Sequence, residues 1–369
     1  MRQITLIPLI GMEKVAYEIK EYLQIIAGDV ICKILEIDLP RFTTGDAKAV
    51  LGDSVRGEDV FILTDVGNYG CTYRMFGIET NLSPDEHFQN LVRAISAIGG
   101  KASRINVVMP MLYAARQDRR TKRESLDCAV ALQQLEKIGV QNVMTIDVHD
   151  DRVQNAIPFI GFDNLMPTYQ MLKALCEQYA DLQFDEQHMV MVSPDFGAMN
   201  RNFAFANELG LDLGVFYKKR NLNEIKNGKN EILTHKYIGA SVEGKDVFIV
   251  DDIIASGETL LDSVKTVKEL GAKRIFIGVS FAHFTNGIDK IEEAFRKGLF
   301  EAIFISNASY IREDVIQSKW YRKVNVTKYI AYYIYSVNAG VSISKILDPH
   351  IKIVELIENY KEKSKGINS

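Results

Sequence analysis

Two stretches of this chain repeat each other. GEDVFILTD (57–65) and GKDVFIVDD (244–252) agree at six of nine positions, 187 residues apart. Each is followed by a helical pattern ending in Gly and then by a strand led by a basic residue, GGKASRINVV and GAKRIFIGV. A run that is apolar nearly throughout suits a strand covered on both faces, so the echo points to two similar α/β halves.

The pattern between the two copies supports this. VFILTDV (60–66), INVVMPML (105–112), NVMTIDV (142–148), HMVMVSP (188–194), GVFYKK (214–219), VFIVDD (247–252), RIFIGVSF (274–281) and EAIFISN (301–307) read as buried strands. Amphipathic helical stretches alternate with them, among them HFQNLVRAISAIGG and GETLLDSVKTVKELG, and such alternation predicts mostly parallel sheets. We place the boundary near 150–165, where IPFIGFDNLMP breaks the pattern with two prolines. The expected division is therefore 1–160, 161–325, a helix over 326–347 that returns to the first half, and a further helix with a polar tail over 348–369. The N-terminal MRQITLIPLIGMEKV is read as leading straight into a helix.

Net charge is −4 with a pI near 6.0, which gives no support to a nucleic-acid binder and leaves room for a small anionic substrate. The four cysteines, Cys32, Cys71, Cys128 and Cys176, form no CxxC and read as reduced thiols. No apolar run is long enough to span a membrane, so the cytoplasm is the expected location.

The second copy of the echo runs on into chemistry. In VFIVDDIIASGETLLD (247–262) two adjacent acids are read as closing a strand, followed by a small-residue turn and a helix start. Backbone N–H groups in such a turn, with the positive end of the helix, suit a dianionic phosphate. Ser256 and Thr259 can add hydroxyls, and Gly257 lets the backbone come close. The two acids suit sugar hydroxyls or a metal bridging sugar and phosphate. The run reads as a clamp for a sugar phosphate; neither GxxxxGK[ST] nor a GxGxxG after a strand is present.

VFIVDDIIASGET resembles the phosphoribosyl-pyrophosphate signature shared by type I phosphoribosyltransferases and ribose-phosphate diphosphokinases. Four further segments resemble the diphosphokinases in order: YAARQDRR (113–120), IDVHDDRVQ (146–154), VSPDFG (192–197) and YKKR (217–220), with RFTTGD (41–46) a weaker match. The fold implied is α/β, with two phosphoribosyltransferase-like domains: an ATP side over 1–160 and a ribose 5-phosphate side over 161–325. The activity implied is transfer of the diphosphoryl group of ATP to O1 of ribose 5-phosphate, with Mg²⁺ as cofactor, in a homo-oligomer. A nucleobase phosphoribosyltransferase and a non-catalytic regulatory homologue are the alternatives.

The resemblance also implies roles. Asp251 and Asp252 would hold the ribose hydroxyls, and Ala255, Ser256, Gly257, Glu258 and Thr259 would cradle the 5-phosphate. Lys218 and Arg220 map onto the catalytic basic pair. His149 and Asp195 map onto positions that meet the metal. Phe42, Thr44, Asp46, Arg116, Gln117 and Asp118 match segments that hold ATP. The chain departs from the family pattern at Ala255, Ala198, Ala114 and Asp46, and residues 65–84 are longer than the family's loop there.

Overall fold

The computed structural model describes residues 2–28, 31–226 and 229–367, with side chains described except over 218–235 and 364–369. The chain forms two compact units. The first comprises 1–167, 307–312 and 325–348; the second comprises 168–306, 313–324 and 349–369.

In the first unit, β1 (Ile4–Pro8) leads to α1 (Glu13–Ala27), then β2 (Cys32–Ile34), the short β3 (Ile37–Asp38) and β4 (Val50–Leu51), and β5 (Asp59–Leu63). A hairpin of β6 (Thr72–Met75) and β7 (Ile78–Asn81) precedes α2 (Pro84–Ile98), β8 (Arg104–Val108), α3 (Asp127–Lys137), β9 (Asn142–Ile146) and β10 (Gly161–Leu165). The sheet order is β10-β9-β8-β5-β1-β2, and every pair in it is parallel. All five residues of β1 and of β5 are buried, which is what their unbroken apolar character requires. Helix α2 starts at a capping box, Ser83 with Glu86, and Pro84 sits in its first turn.

The second unit runs α4 (Thr168–Gln178), β11 (Met189–Ser193), α5 (Met199–Leu209), β12 (Asp212–Lys226), β13 (Lys229–Gly239), β14 (Asp246–Ile254), α6 (Glu258–Glu269), β15 (Arg274–Ala282), α7 (Asp289–Arg296), β16 (Ala302–Ser306), α8 (Glu313–Ile316) and β17 (Tyr321–Val324). Its sheet order is β13-β12-β11-β14-β15-β16-β17, with β12–β13 the one antiparallel pair. Beyond β17, α9 (Thr327–Ala339) and α10 (Ser344–Leu347) belong to the first unit, and α11 (His350–Ile367) to the second. Helix α9 ends at Gly340, whose φ of +66° is a conformation that favours glycine.

The sequence echo has a physical counterpart. The two copies are β5 and β14, each central in its sheet. Asp59 opens β5, is fully buried, and pairs with Arg104, which opens β8. Asp246 opens β14, is also buried, and pairs with Arg274, which opens β15, at 2.9 Å and 2.6 Å. The basic residue leading each downstream strand is thus the partner of a buried carboxylate, and a buried charge left unpaired would be costly.

Three expectations change. The N-terminus enters a strand before its helix, and β1 lies between β5 and β2. Residues 161–165 form β10, which pairs with β9, so a boundary drawn at 160 cuts off the edge strand of the first sheet. The strand read over GVFYKK runs on through the charged stretch to Lys226 and pairs with β13, Lys218 lying opposite His235.

Candidate functional site

In the second sheet the chain passes from β11 to β12 on one side, then returns to β14 on the other side of β11 and continues outward. The reversal lies between β11 and β14. In open α/β sheets such a point leaves a crevice at the C-terminal strand ends, where ligands bind. The diacid on β14 and Asp195, just past β11, both stand there.

Strand β14 does not stop at the acids. It pairs with β15 as far as Ile254 and Ala282, so Asp251 and Asp252 sit inside the strand, just before its last two residues. Burial pushes Asp251 well above the usual carboxylate range, and the adjacent Asp252 carboxylate adds to this, while Arg201 opposes it. The Arg201 guanidinium, buried on α5, lies 3.9 Å from Asp251 and 4.0 Å from Asp252. Asp195 also contributes to the raised pKa of Asp251, so three carboxylates act on one another here.

The following turn is built as a cradle. Gly257 has φ +83° and precedes α6, which no side chain caps. A Cβ at Gly257 would stand 3.1 Å from Cδ1 of Ile291, so both the backbone conformation and the neighbour disfavour a side chain. Ala255 accepts from the Thr285 N–H at 2.8 Å, which fixes the turn from its far side. Ser256 is half-buried, and Glu258 and Thr259 are exposed at the helix start. The Glu258 N–H reaches Ser256 Oγ at 3.5 Å, and N–H groups at a helix start flanked by hydroxyls are suited to an anion.

Asp195 is half-buried, and its Oδ1 accepts from the Ala198 N–H at 3.1 Å. Ala198 has φ −84°, so the alanine at this position carries no backbone strain. Arg201 and Asn202 were not singled out in the sequence, although both lie within five residues of the end of the quoted VSPDFG segment.

The remaining candidates belong to the first unit. His149 is exposed, two residues beyond Asp147, which is buried and has φ +49°. A non-glycine residue held there stores local strain, a feature common beside functional groups. Asp150 is held down to about 2 by its hydrogen bonds to Arg152, with Arg119 adding to the effect, and Asp118 acts on Arg152 in turn. The segment carrying Arg116, Gln117 and Asp118 is therefore brought beside the one carrying His149. Ala114 takes φ +54° at the turn before it, and Tyr113 stacks on Phe88 at 4.5 Å.

Phe42 is exposed, and Thr44 donates to Asp46 at 2.8 Å within a tight loop closed by the Phe42 N–H on the Asp46 carbonyl at 2.7 Å. Lys218 and Arg220 fall on β12, and their side chains lie outside the described residues. Among the described residues no three His, Cys, Asp or Glu side chains form a metal site on their own. Mg²⁺ is usually held by one or two carboxylates together with substrate phosphates, and the carboxylates at the β11–β14 crevice fit such a role.

The first unit does not retain a second copy of the clamp. Thr64 and Asp65 occupy the positions of Asp251 and Asp252 in the echo. Asp65 is buried and accepts from Ser309 Oγ at 2.7 Å, the Tyr310 N–H at 2.8 Å and the Gly67 N–H at 3.0 Å. The Tyr310 ring packs so closely on Gly70 that a Cβ there would lie 2.7 Å from it. The chain's own segment 307–312 thus covers the equivalent acid.

Two family models match the chain. Residues 7–139 match the N-terminal domain of ribose phosphate pyrophosphokinase, and residues 162–303 match the phosphoribosyl transferase domain. This chain belongs to the ribose-phosphate pyrophosphokinase family. A ribose-phosphate pyrophosphokinase from Vibrio parahaemolyticus is 28% identical over 337 residues, covering 89% of this chain and 96% of that protein. The Vibrio cholerae relative is 31% identical over 280 residues, covering 74% and 79% respectively. The crystal structure of phosphoribosylpyrophosphate synthetase from Mycobacterium smegmatis shares the fold, with a TM-score of 0.74 at 21% identity, covering 92% of this chain and all of that one. Among the described residues no helix is long and apolar enough to cross a membrane.

Proposed function

We propose that this chain transfers the diphosphoryl group of ATP to O1 of ribose 5-phosphate, giving phosphoribosyl pyrophosphate and AMP. A bond forms between O1 and the β-phosphorus as the bond from that phosphorus to the α-bridging oxygen breaks, and the anomeric hydroxyl gives up a proton. The observation that carries this reading is the sequence of the paired acids, a left-handed Gly257 and an uncapped α6, standing at the switch point of the second sheet.

In this reading the second unit holds the sugar. Ser256, Gly257, Glu258 and Thr259, with the main chain at Ala255, surround the 5-phosphate. Asp251 and Asp252 accept from the ribose hydroxyls and so fix the direction of O1. Holding O1 in line with the phosphorus removes much of the entropic part of the barrier. Arg201 offsets the mutual repulsion of the two acids.

The first unit holds the nucleotide. Phe42 faces adenine, with Thr44 and Asp46 on its polar edge, and Arg116, Gln117 and Asp118 meet the triphosphate. Arginine suits that task because its planar fork pairs with phosphate oxygens. His149 in the first unit and Asp195 in the second would each offer a ligand to Mg²⁺, which would supply charge neutralisation for the transferring group. Lys218 and Arg220 meet the charge that grows on the moving oxygens, an interaction stronger in the transition state than before it. The chain works in the cytoplasm as a homo-oligomer.

Incubation with ATP, Mg²⁺ and ribose 5-phosphate, followed by AMP detection, tests the reading. AMP must appear in step with phosphoribosyl pyrophosphate. Nucleotide binding without AMP would mark a regulatory homologue, and consumption of preformed phosphoribosyl pyrophosphate with a nucleobase would mark a phosphoribosyltransferase.

A further inference from the structure

The turn that carries the cradle is backed almost residue by residue by the segment from His283 to Ile291, which links β15 to α7. The His283 N–H donates to the Ile254 carbonyl at 2.8 Å, and the Thr285 N–H to the Ala255 carbonyl at 2.8 Å. Ile291 would stand 3.1 Å from a Cβ at Gly257, and Lys290 Nζ lies 3.6 Å from Glu258 Oε1. Of residues 254–258, only Ser256 has no such partner in that segment.

The backing segment is itself fixed. Phe284 is fully buried with φ +47°, and its ring lies 5.7 Å from that of Trp320. Trp320 donates to Glu292 on α7 at 2.7 Å, and the Gly287 N–H returns to the Phe284 carbonyl at 2.8 Å. Lys290 is thus carried beside the cradle by a braced helix.

Glu258 is the group that needs explaining. It is the first residue of α6, so its carboxylate belongs to the same helix end that offers N–H groups to the sugar phosphate. A carboxylate there is attracted by the positive helix end and repels a dianion bound to it. Yet no side chain caps α6, and among the described residues Lys290 is the one basic group within 4.0 Å of Glu258. Two acids of α7 are engaged elsewhere, Glu293 with Lys297 at 2.6 Å and Glu292 with Trp320. The Lys290 and Glu258 side chains are 71% and 48% exposed. A pair so exposed adds little to stability, and its consequence is where it holds the carboxylate.

We propose that Lys290 is a positioning residue for the 5-phosphate: it draws the Glu258 carboxylate toward α7 and leaves the N–H groups at the α6 start to the substrate. This rests on the sugar-phosphate reading of the cradle. Without Lys290 the carboxylate turns to its own helix end and competes with the phosphate as an internal anion.

The test titrates ribose 5-phosphate calorimetrically into the full chain in low-salt buffer. Lys290→Met should weaken binding at least fivefold, whereas Lys290→Arg, which keeps the charge, should stay within twofold of the parent. In steady state Lys290→Met should raise KM for ribose 5-phosphate by the same factor, with kcat and KM for ATP changed less than twofold. Adding Glu258→Gln to Lys290→Met should restore binding to within twofold of the parent, because the competing charge is gone. Thermal melts establish that each variant is folded. Undiminished binding by Lys290→Met, or an equal loss in Lys290→Arg, overturns the proposal. A double variant as weak as Lys290→Met also overturns it, and makes the ammonium a direct phosphate contact. A parent chain that binds no ribose 5-phosphate removes the cradle reading and this inference together. Binding without AMP release overturns the transfer reaction alone, and the calorimetric arms then decide the role of Lys290.

Discussion

The side chain of Asn202 on α5 holds both main-chain polar atoms of Val250 on β14, donating to its carbonyl at 2.7 Å and accepting from its N–H at 3.0 Å. The β11 ladder onto β14 runs from Met189–Asp246 to Val192–Ile249, so one fully buried amide takes over at the next residue, immediately before the diacid. The same Nδ2 also reaches the Ala198 carbonyl at 2.9 Å, which links the Asp195 turn to the strand that carries the acids.

Asn202→Leu is expected to destabilise the chain by about 2–3 kcal/mol, because it strands a buried N–H and a buried carbonyl. Urea unfolding measures this. The variant that remains folded should also lose roughly tenfold in kcat/KM for ribose 5-phosphate, since a small displacement of reacting groups is costly. Loss of stability with unchanged kcat/KM would make the amide a packing element only.

Gly257→Ala tests the cradle. Its φ of +83° and the 3.1 Å approach of Ile291 oppose a methyl group, at a cost of about 1–2 kcal/mol. The expected outcome is a rise of about tenfold in KM for ribose 5-phosphate with KM for ATP little changed. A matched rise in both would mean that the turn does not hold the sugar phosphate.

Lys218→Ala is expected to lower the rate of AMP release by about a hundredfold, or roughly 3 kcal/mol, the order found when one transition-state charge contact is lost. ATP binding, measured by equilibrium titration, should be nearly intact. If rate and binding fall together, the residue serves the ground state.

Burial pushes Asp65 above the usual carboxylate range, opposed by its bonds to Ser309, Tyr310 and Gly67. A folded-state pKa above the unfolded one means that its contribution to stability is complete below the unfolded value and is lost as pH rises through the raised one. Asp65→Asn should therefore cost most near pH 4, by about 1–3 kcal/mol through the mismatched Tyr310 N–H, and less as pH rises toward 7. Chemical denaturation at each pH gives the difference, and a cost that grows with pH would contradict the direction.

The architecture was largely legible because the strands of both sheets carry their own signal. β5, β11 and β16 are buried at every residue, and unbroken apolar runs cannot otherwise be accommodated. β1 was missed because its run is short and passes directly into a helical pattern, so periodicity alone did not separate the two. The β12–β13 pair was missed because its charged residues look like a loop. The Asn227-Gly228 dipeptide between the two strands was the usable sign, being a favoured two-residue hairpin connection. Of the sugar-phosphate site, the turn and acids were visible because the chemistry is contiguous in sequence. Arg201 and Asn202 were not, since they act across the sheet on residues about fifty positions away. Nothing local in α5 distinguishes a buried arginine facing two acids from one facing solvent.

The weaving of the chain between the two units has a bearing on its synthesis. Tyr333 on α9 is buried and donates to Asp163 at 2.9 Å, and Asn338 donates to Asp59 at 2.9 Å. The partners of these acids leave the ribosome 170 and 279 residues after the acids themselves. A nascent chain stalled or clipped near residue 325 would therefore lack α9 and α10 of the earlier-translated unit, with the bonds they make to Asp163 and Asp59, and α11 of the later one.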